Sequence, residues 1–271
     1  MASSSVRVAV VQPAAYAGEK ESQNIARAVE YLREASAQGA QFVCFPELYP
    51  GPANPRNVFD TEVLYEKARE HKIYVIRGRR EPAPDRRHFI AAELIGPDGE
   101  SRGSYRRTTP AGPYVYRDIS AWDFDYQAAD DLPVFETEFG VVGILICSEV
   151  YVPELARALA LKGAEILFFP SGGLINELSP TWKTMLWARA IENLCYTAAC
   201  QSIYGVEEGI ATIAGPERVL QQSGEPGVLV AELDLERIRW LRNEQEKIEM
   251  PKQYRVVPGT LNWMREAITT G

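Results

Sequence analysis

Two stretches near the start of the chain decide the fold class: Val6-Arg7-Val8-Ala9-Val10-Val11-Gln12 and Gln41-Phe42-Val43-Cys44-Phe45-Pro46-Glu47. Each is a short, nearly uninterrupted apolar run followed by proline, the pattern of a buried strand. Between them Ile25, Ala28, Val29, Leu32 and Ala35 recur at helical spacing, and Gly39 stops that helix. The opening therefore alternates strand, helix and strand over 6–12, 24–37 and 41–45. Outward from there, the spacing predicts a helix over 62–71 and strands over 73–77 and 89–95. A strand over 102–107 completes a hairpin around Gly96-Pro97-Asp98-Gly99. Further on come a strand over 141–146, a helix over 154–162, a strand over 165–169, a helix over 182–192 and a strand over 194–200. Strands over 210–214 and 228–233 read as a hairpin around Gly215-Pro216. Alternation interrupted by hairpins predicts sheets covered by helices, in the α/β or α+β class. Residues 108–133, rich in Pro, Tyr, Trp and Asp, read as a long irregular loop, and loops of that length in a compact domain usually carry function.

The bulk properties exclude several classes. Of 271 residues, 46% are hydrophobic and 24% charged, which is ordinary for a globular protein and excludes dominant disorder. Lys and Arg total 29 against 37 Asp and Glu, a formal charge of −8. That balance argues against nucleic acid as a partner. No apolar run reaches the roughly 18 residues of a membrane span. Met1-Ala2-Ser3-Ser4-Ser5 has neither the basic nor the apolar region of a secretory signal. Cys44, Cys147, Cys195 and Cys200 lie in apolar stretches without metal-binding spacing, and His71 and His88 are the two histidines. These features predict a reduced cytoplasmic protein with no metal site.

Three positions can carry chemistry. Cys147 closes the run Val141-Val142-Gly143-Ile144-Leu145-Ile146 and precedes Ser148-Glu149. A thiol there is either an exposed nucleophile or another buried cysteine. Glu47, directly after a core strand and a proline, is either a solvated loop carboxylate or a base able to take a thiol proton and return it. Arg106 and Arg107 end a strand before the long loop. They form either a surface pair or a fixed cation that lowers a thiol pKa and stabilises an oxyanion.

Taken in order, these pieces resemble the nitrilase superfamily of carbon–nitrogen hydrolases. The likeness runs from about Val6 to Leu261. Phe45-Pro46-Glu47 resembles the motif of the catalytic glutamate, and Tyr105-Arg106-Arg107-Thr108-Thr109 stands where the family has its catalytic lysine. Ile146-Cys147-Ser148-Glu149-Val150-Tyr151-Val152-Pro153-Glu154 resembles the nucleophile motif. Gly163-Ala164-Glu165, Pro170-Ser171, Arg189-Ala190-Ile191-Glu192-Asn193 and Gly215-Pro216 follow as further landmarks. Sixty residues separate Glu47 from Arg107, and forty separate Arg107 from Cys147.

The resemblance implies a four-layer αββα sandwich of two mixed sheets flanked by helices, formed by one hydrolase domain over 1–271. Residues 252–271 are then a tail that packs on a partner subunit of a homodimer or larger assembly. It also implies no cofactor and a small amide, carbamoyl compound or nitrile as substrate. Cys147 is implied as nucleophile, Glu47 as base and Arg107 as the third member, with thioester or thioimidate chemistry releasing ammonia or an amine. Tyr49, Trp122, Ser148, Glu149, Tyr151, Ser171 and Gly172 are the substrate-binding candidates. Trp122 belongs to an aromatic group with Tyr114, Tyr116, Phe124 and Tyr126. Two departures stand out. Arginine replaces the lysine, so the third member either stabilises charge without moving a proton, or turns outward and leaves the site degraded. Thr108 to Phe135 also contains no glutamate, where the family often carries a second one between lysine and cysteine, and Asp123 is the nearest replacement, with Asp118 and Asp125 as rivals. Ser148 after the nucleophile, where strict nitrilases usually have tryptophan, favours an amidase-like member, whereas Glu149 resembles the nitrilase side. Related thiol chemistry with another outcome, and a catalytically silent homologue, are the competing classes.

Overall fold

A computed structural model describes residues 5–53, 57–84, 87–109, 126–173, 176–205 and 208–243. Strand β1 (Ser5–Gln12) leads through helix α1 (Gln23–Ala37) to β2 (Phe42–Cys44). Helix α2 (Val63–His71) then leads to β3 (Tyr74–Pro82), β4 (His88–Ile95) and β5 (Ser101–Arg106). In the second half β6 (Val134–Glu136) and β7 (Val141–Ile144) precede a short 3₁₀ turn, Cys147–Tyr151. Helix α3 (Pro153–Leu161), β8 (Ile166–Ser171), helix α4 (Ser179–Asn193) and β9 (Tyr196–Gln201) follow. The described part closes with β10 (Ala211–Ala214), β11 (Val219–Ser223), β12 (Gly227–Asp234) and helix α5 (Leu235–Asn243).

The strands form two mixed six-stranded sheets, ordered β12-β1-β2-β3-β4-β5 and β11-β10-β9-β8-β7-β6. In each, three neighbouring parallel strands form the centre, and antiparallel strands flank them. The two-residue period of β1 and β2 explains the layering. Val6, Val8, Val10, Phe42 and Cys44 point into a core shared with Ile144, Ile166, Phe168 and Cys200 of the other sheet. Ala9, Val11, Val43 and Phe45 point the other way, against Ala28, Leu32 and Ala35 of α1 and Leu64 and Ala68 of α2. Phe42 meets Phe168 across the sheets with ring centroids 5.8 Å apart. Among the described residues the two sheets thus pack face to face with five helices flanking them, as the resemblance implied. Among the described residues no helix is long and apolar enough to cross a membrane.

The sequence reading needs correction at the C-terminal strands. The 210–214 segment forms its hairpin with Val219–Ser223, and 228–233 crosses to the other sheet, where β12 runs antiparallel to β1 along its full length. Val219–Ser223 was not legible because an edge strand with no buried side chain carries no apolar alternation. Strand β6 and helix α5 were likewise unexpected. The first is three residues long, and only Leu235, Ile238 and Leu241 of the second are buried.

Candidate active site

Glu47 lies three residues beyond β2, on a turn laid flat against β3. The Gly78 amide donates to the Tyr49 carbonyl at 3.1 Å, and Leu48 adopts a φ of 56°. Glycine at 78 permits this contact. A Cβ there would lie 2.2 Å from the Leu48 nitrogen and 2.3 Å from the Pro46 carbonyl oxygen, both backbone atoms that cannot swing away. Gly78→Ala is therefore expected to destabilise the fold by about 1–3 kcal/mol through overpacking, a Tm drop of about 2–12 °C, and to displace Glu47. Calorimetry and kcat on the same preparation check this. A variant with unchanged Tm and kcat would show that the turn yields freely.

Cys147 sits just past β7 with a φ of 54°. A side chain in this left-handed region costs about 1–3 kcal/mol and persists where surrounding contacts over-determine the backbone. Those contacts are visible. From α4 the buried Arg189 donates through Nε to the Val150 carbonyl at 3.1 Å, and the Glu149 carboxylate accepts the Ile146 amide at 2.7 Å. A carboxylate reaching back to an amide at the start of a helical turn satisfies one of its orphan donors.

The structure brings Glu47, Arg107 and Cys147 together. One Glu47 oxygen accepts Arg107 Nη1 at 3.0 Å, and the other accepts the Gly172 amide at 2.9 Å. The Glu47 amide donates to the Ser171 carbonyl at 3.3 Å, joining the ends of β2 and β8. Arg107, 1% exposed, points inward. Its Nη2 donates to Ser148 Oγ, and its Nε donates to the Thr109 carbonyl at 3.0 Å. The Glu47 carboxylate, the Arg107 guanidinium and the Gly172 N–H all lie close enough to the Cys147 thiol to act on it electrostatically. Burial, reinforced by the Glu47 charge, pushes this thiol up to about 12, while Arg107 and the Gly172 N–H pull the other way. A resting thiol in this setting keeps its proton at neutral pH, and attack requires a base in contact with it.

The buried thiols have a consequence for stability. Desolvation pushes Cys195 up to about 12 and Cys44 well above its ordinary value. In the unfolded chain thiols titrate near about 8.5. A folded-state pKa raised above the unfolded value gives stability that is complete below the unfolded pKa and is lost as pH rises toward the folded one. The urea midpoint is therefore expected to fall between pH 8 and pH 10. A midpoint constant over that range would contradict the burial of these groups as thiols.

The other candidate residues divide. Ser148 accepts from Arg107, and Gly172 holds Glu47, where a Cβ would lie 3.0 Å from Glu47 Oε2. Ser171 lends its carbonyl to the Glu47 amide, while its hydroxyl donates to the Phe169 carbonyl at 3.3 Å. Tyr151 is 44% exposed and meets Trp182 edge to face at 5.7 Å. Two substrate-binding candidates lie in the interior. Tyr49 is buried on the helix side of the first sheet, stacked on Phe45 with its hydroxyl donating to the Asn24 carbonyl at 3.2 Å. Glu149 is wholly buried with both oxygens engaged: Oε2 by Ile146, and Oε1 by the Tyr105 hydroxyl at 2.7 Å and the amides of Thr108 and Thr109 at 2.9 and 3.1 Å. Trp122, Asp123, its rivals Asp118 and Asp125, and the tail over 252–271 lie outside the described residues. Sequence reasoning gave Gly78 and Arg189 no part in the site. Gly78 falls one residue past the strand expected over 73–77, and the structure extends that strand to Pro82.

The family model for carbon–nitrogen hydrolases matches residues 7–243. The chain belongs to the carbon–nitrogen hydrolase family, within the nitrilase superfamily. Among curated relatives of this hydrolase, a nitrilase from Pyrococcus abyssi is 32% identical over 80% of this chain and 85% of the relative. An omega-amidase from Xenopus tropicalis is 28% identical, covering 86% and 90%. Among solved structures, an amidase from Nesterenkonia sp. superimposes with a TM-score of 0.73 at 25% identity, covering 89% of the hydrolase and 94% of the amidase.

Proposed function

We propose that this hydrolase cleaves the C–N bond of a small amide through a covalent thioester on Cys147, with Glu47 as the proton carrier and Arg107 as a fixed cation. The observation that carries the reading is the Glu47 carboxylate, held by Arg107 and Gly172 close enough to Cys147 for its charge to act on the thiol. Glu47 takes the thiol proton as sulfur attacks the carbonyl carbon. The oxygen of the tetrahedral intermediate develops negative charge beside the Arg107 guanidinium. Glu47 then gives its proton to the departing nitrogen, and ammonia or an amine leaves with both bonding electrons. A water attacks the thioester, Glu47 accepts its proton, and the thiol returns with the carboxylic acid. Arginine holds its proton at every working pH, so it contributes charge and orientation, and proton transfer falls to Glu47.

The printed names of the relatives favour an amide over a nitrile. Omega-amidases and an amidase stand among them, and a glutamate mutant of the Nesterenkonia amidase shows covalent addition of the acetamide moiety of fluoroacetamide at its active-site cysteine. A panel of primary amides, N-carbamoyl compounds and nitriles, read by released ammonia, tests the reading. Ammonia from amides supports it, and turnover confined to nitriles overturns it.

Assembly as a homodimer or larger oligomer belongs to the same proposal. Trp187 and Ile191 are exposed on one face of α4, an apolar surface suited to an interface. Light scattering at micromolar concentration is expected to exceed the monomer mass of 30.3 kDa at least twofold, and a monomer mass would contradict it.

A further inference from the structure

Glu149 is a buried carboxylate that the proposed chemistry leaves unused. It sits two residues after Cys147 with zero exposure, and among the described residues no lysine or arginine pairs with it. Its partners are neutral donors from two different segments. Oε2 takes the Ile146 amide, immediately before the nucleophile. Oε1 takes the Tyr105 hydroxyl at 2.7 Å, the Thr108 amide and hydroxyl, both at 2.9 Å, and the Thr109 amide and hydroxyl at 3.1 and 3.3 Å. The Thr109 carbonyl in turn receives Arg107 Nε at 3.0 Å. One carboxylate thus clamps the nucleophile turn to the segment that holds the guanidinium.

We infer that Glu149 is a positioning residue that sets the Arg107 fork against Cys147, and that the Thr108-Thr109 turn it pins is the feature to which an arginine, rather than a lysine, is fitted. The inference rests on the proposed thiol chemistry. The matching is chemical. Arg107 uses three nitrogens in three directions: Nε to the Thr109 carbonyl, Nη1 to Glu47 and Nη2 to Ser148. A lysine ammonium has one nitrogen and no counterpart of Nε, so it cannot draw on the pinned carbonyl while also reaching Glu47. A carboxylate is needed at 149 because both of its oxygens face donors. Glutamine would set its NH₂ either against the Ile146 amide or against the Tyr105, Thr108 and Thr109 donors.

The test is a double-mutant cycle on the full chain with Glu149→Gln, Arg107→Lys and the double variant. Glu149→Gln is expected to lower kcat on the order of 10²-fold with KM changed less than about threefold, since misplacing a group by about 1 Å can cost that much. In the Arg107→Lys background the same change is expected to cost less than about threefold, because coupled residues are non-additive. A penalty equal in both backgrounds, or a loss in KM rather than kcat, overturns the inference. Tyr105→Phe serves if Glu149→Gln fails to fold. It removes one donor from Oε1 and keeps the ring, and kcat is expected to fall by about three- to tenfold in the Arg107 background alone. Cys147 alkylation by iodoacetamide is measured on all the variants in parallel. A parent that labels at Cys147 but hydrolyses no amide refutes the proposed function, while the same cycle in labelling rates still decides whether Glu149 acts through Arg107: a smaller loss with lysine supports it, and equal losses overturn it.

Discussion

Cys147→Ala is expected to reduce turnover below about a hundredth of the parent while leaving the fold in place; losses of nucleophiles reach about 10⁶-fold in comparable enzymes. Alanine fits the space of a cysteine and accepts the same left-handed backbone at residue 147. The turn itself is held by groups that the substitution leaves alone, the Arg189 bond to Val150 and the Glu149 bond to Ile146. The Tm is therefore expected to stay within a few degrees of the parent. Steady-state ammonia release and calorimetry on one preparation check both halves. A folded Cys147→Ala protein retaining more than about a hundredth of parental turnover would remove the thiol from the mechanism.

Glu47→Gln is expected to lower kcat by about 10²- to 10⁴-fold, the range for losing a general base. The structure adds a reason for the upper part of that range. Both carboxylate oxygens accept hydrogen bonds, one from Arg107 and one from Gly172. Glutamine supplies a single acceptor oxygen, so its NH₂ must face one of those donors, and the charge facing the guanidinium is lost. Loss of the base and disturbance of the cation coincide. Measuring kcat and KM for the same amide separates the base from binding: KM is expected to change little. A kcat drop below tenfold would show that another group accepts the thiol proton.

Much of this arrangement was legible in the sequence, for definite reasons. Val6–Gln12 and the run ending at Phe45 are apolar almost throughout, so their burial could be read directly, and the position of Glu47 at a strand end followed. Cys147 and Arg107 were legible as motif members. Their residue types alone did not say whether the arginine turns inward, since that depends on the Thr109 carbonyl and Ser148 lying within reach. The burial of Glu149 was not legible because its compensating donors come from residues forty and more positions upstream. The burial of Tyr49 was not legible for a related reason: two residues beyond Glu47 the turn has already reversed the chain toward α1. Gly78 lies just past the strand expected over 73–77, and its role was not deducible until Pro46 and Leu48 were seen against it.

The central claim is that catalysis passes through a bond between substrate carbon and Cys147 sulfur. Acid quench during turnover of a primary amide, followed by peptide mapping, tests it most directly. The account predicts the acyl group of the substrate on the peptide carrying Cys147, released by hydroxylamine as a thioester should be. Hydrolysis of the amide with no acyl group on Cys147, or with the group on Cys44, Cys195 or Cys200, would contradict it.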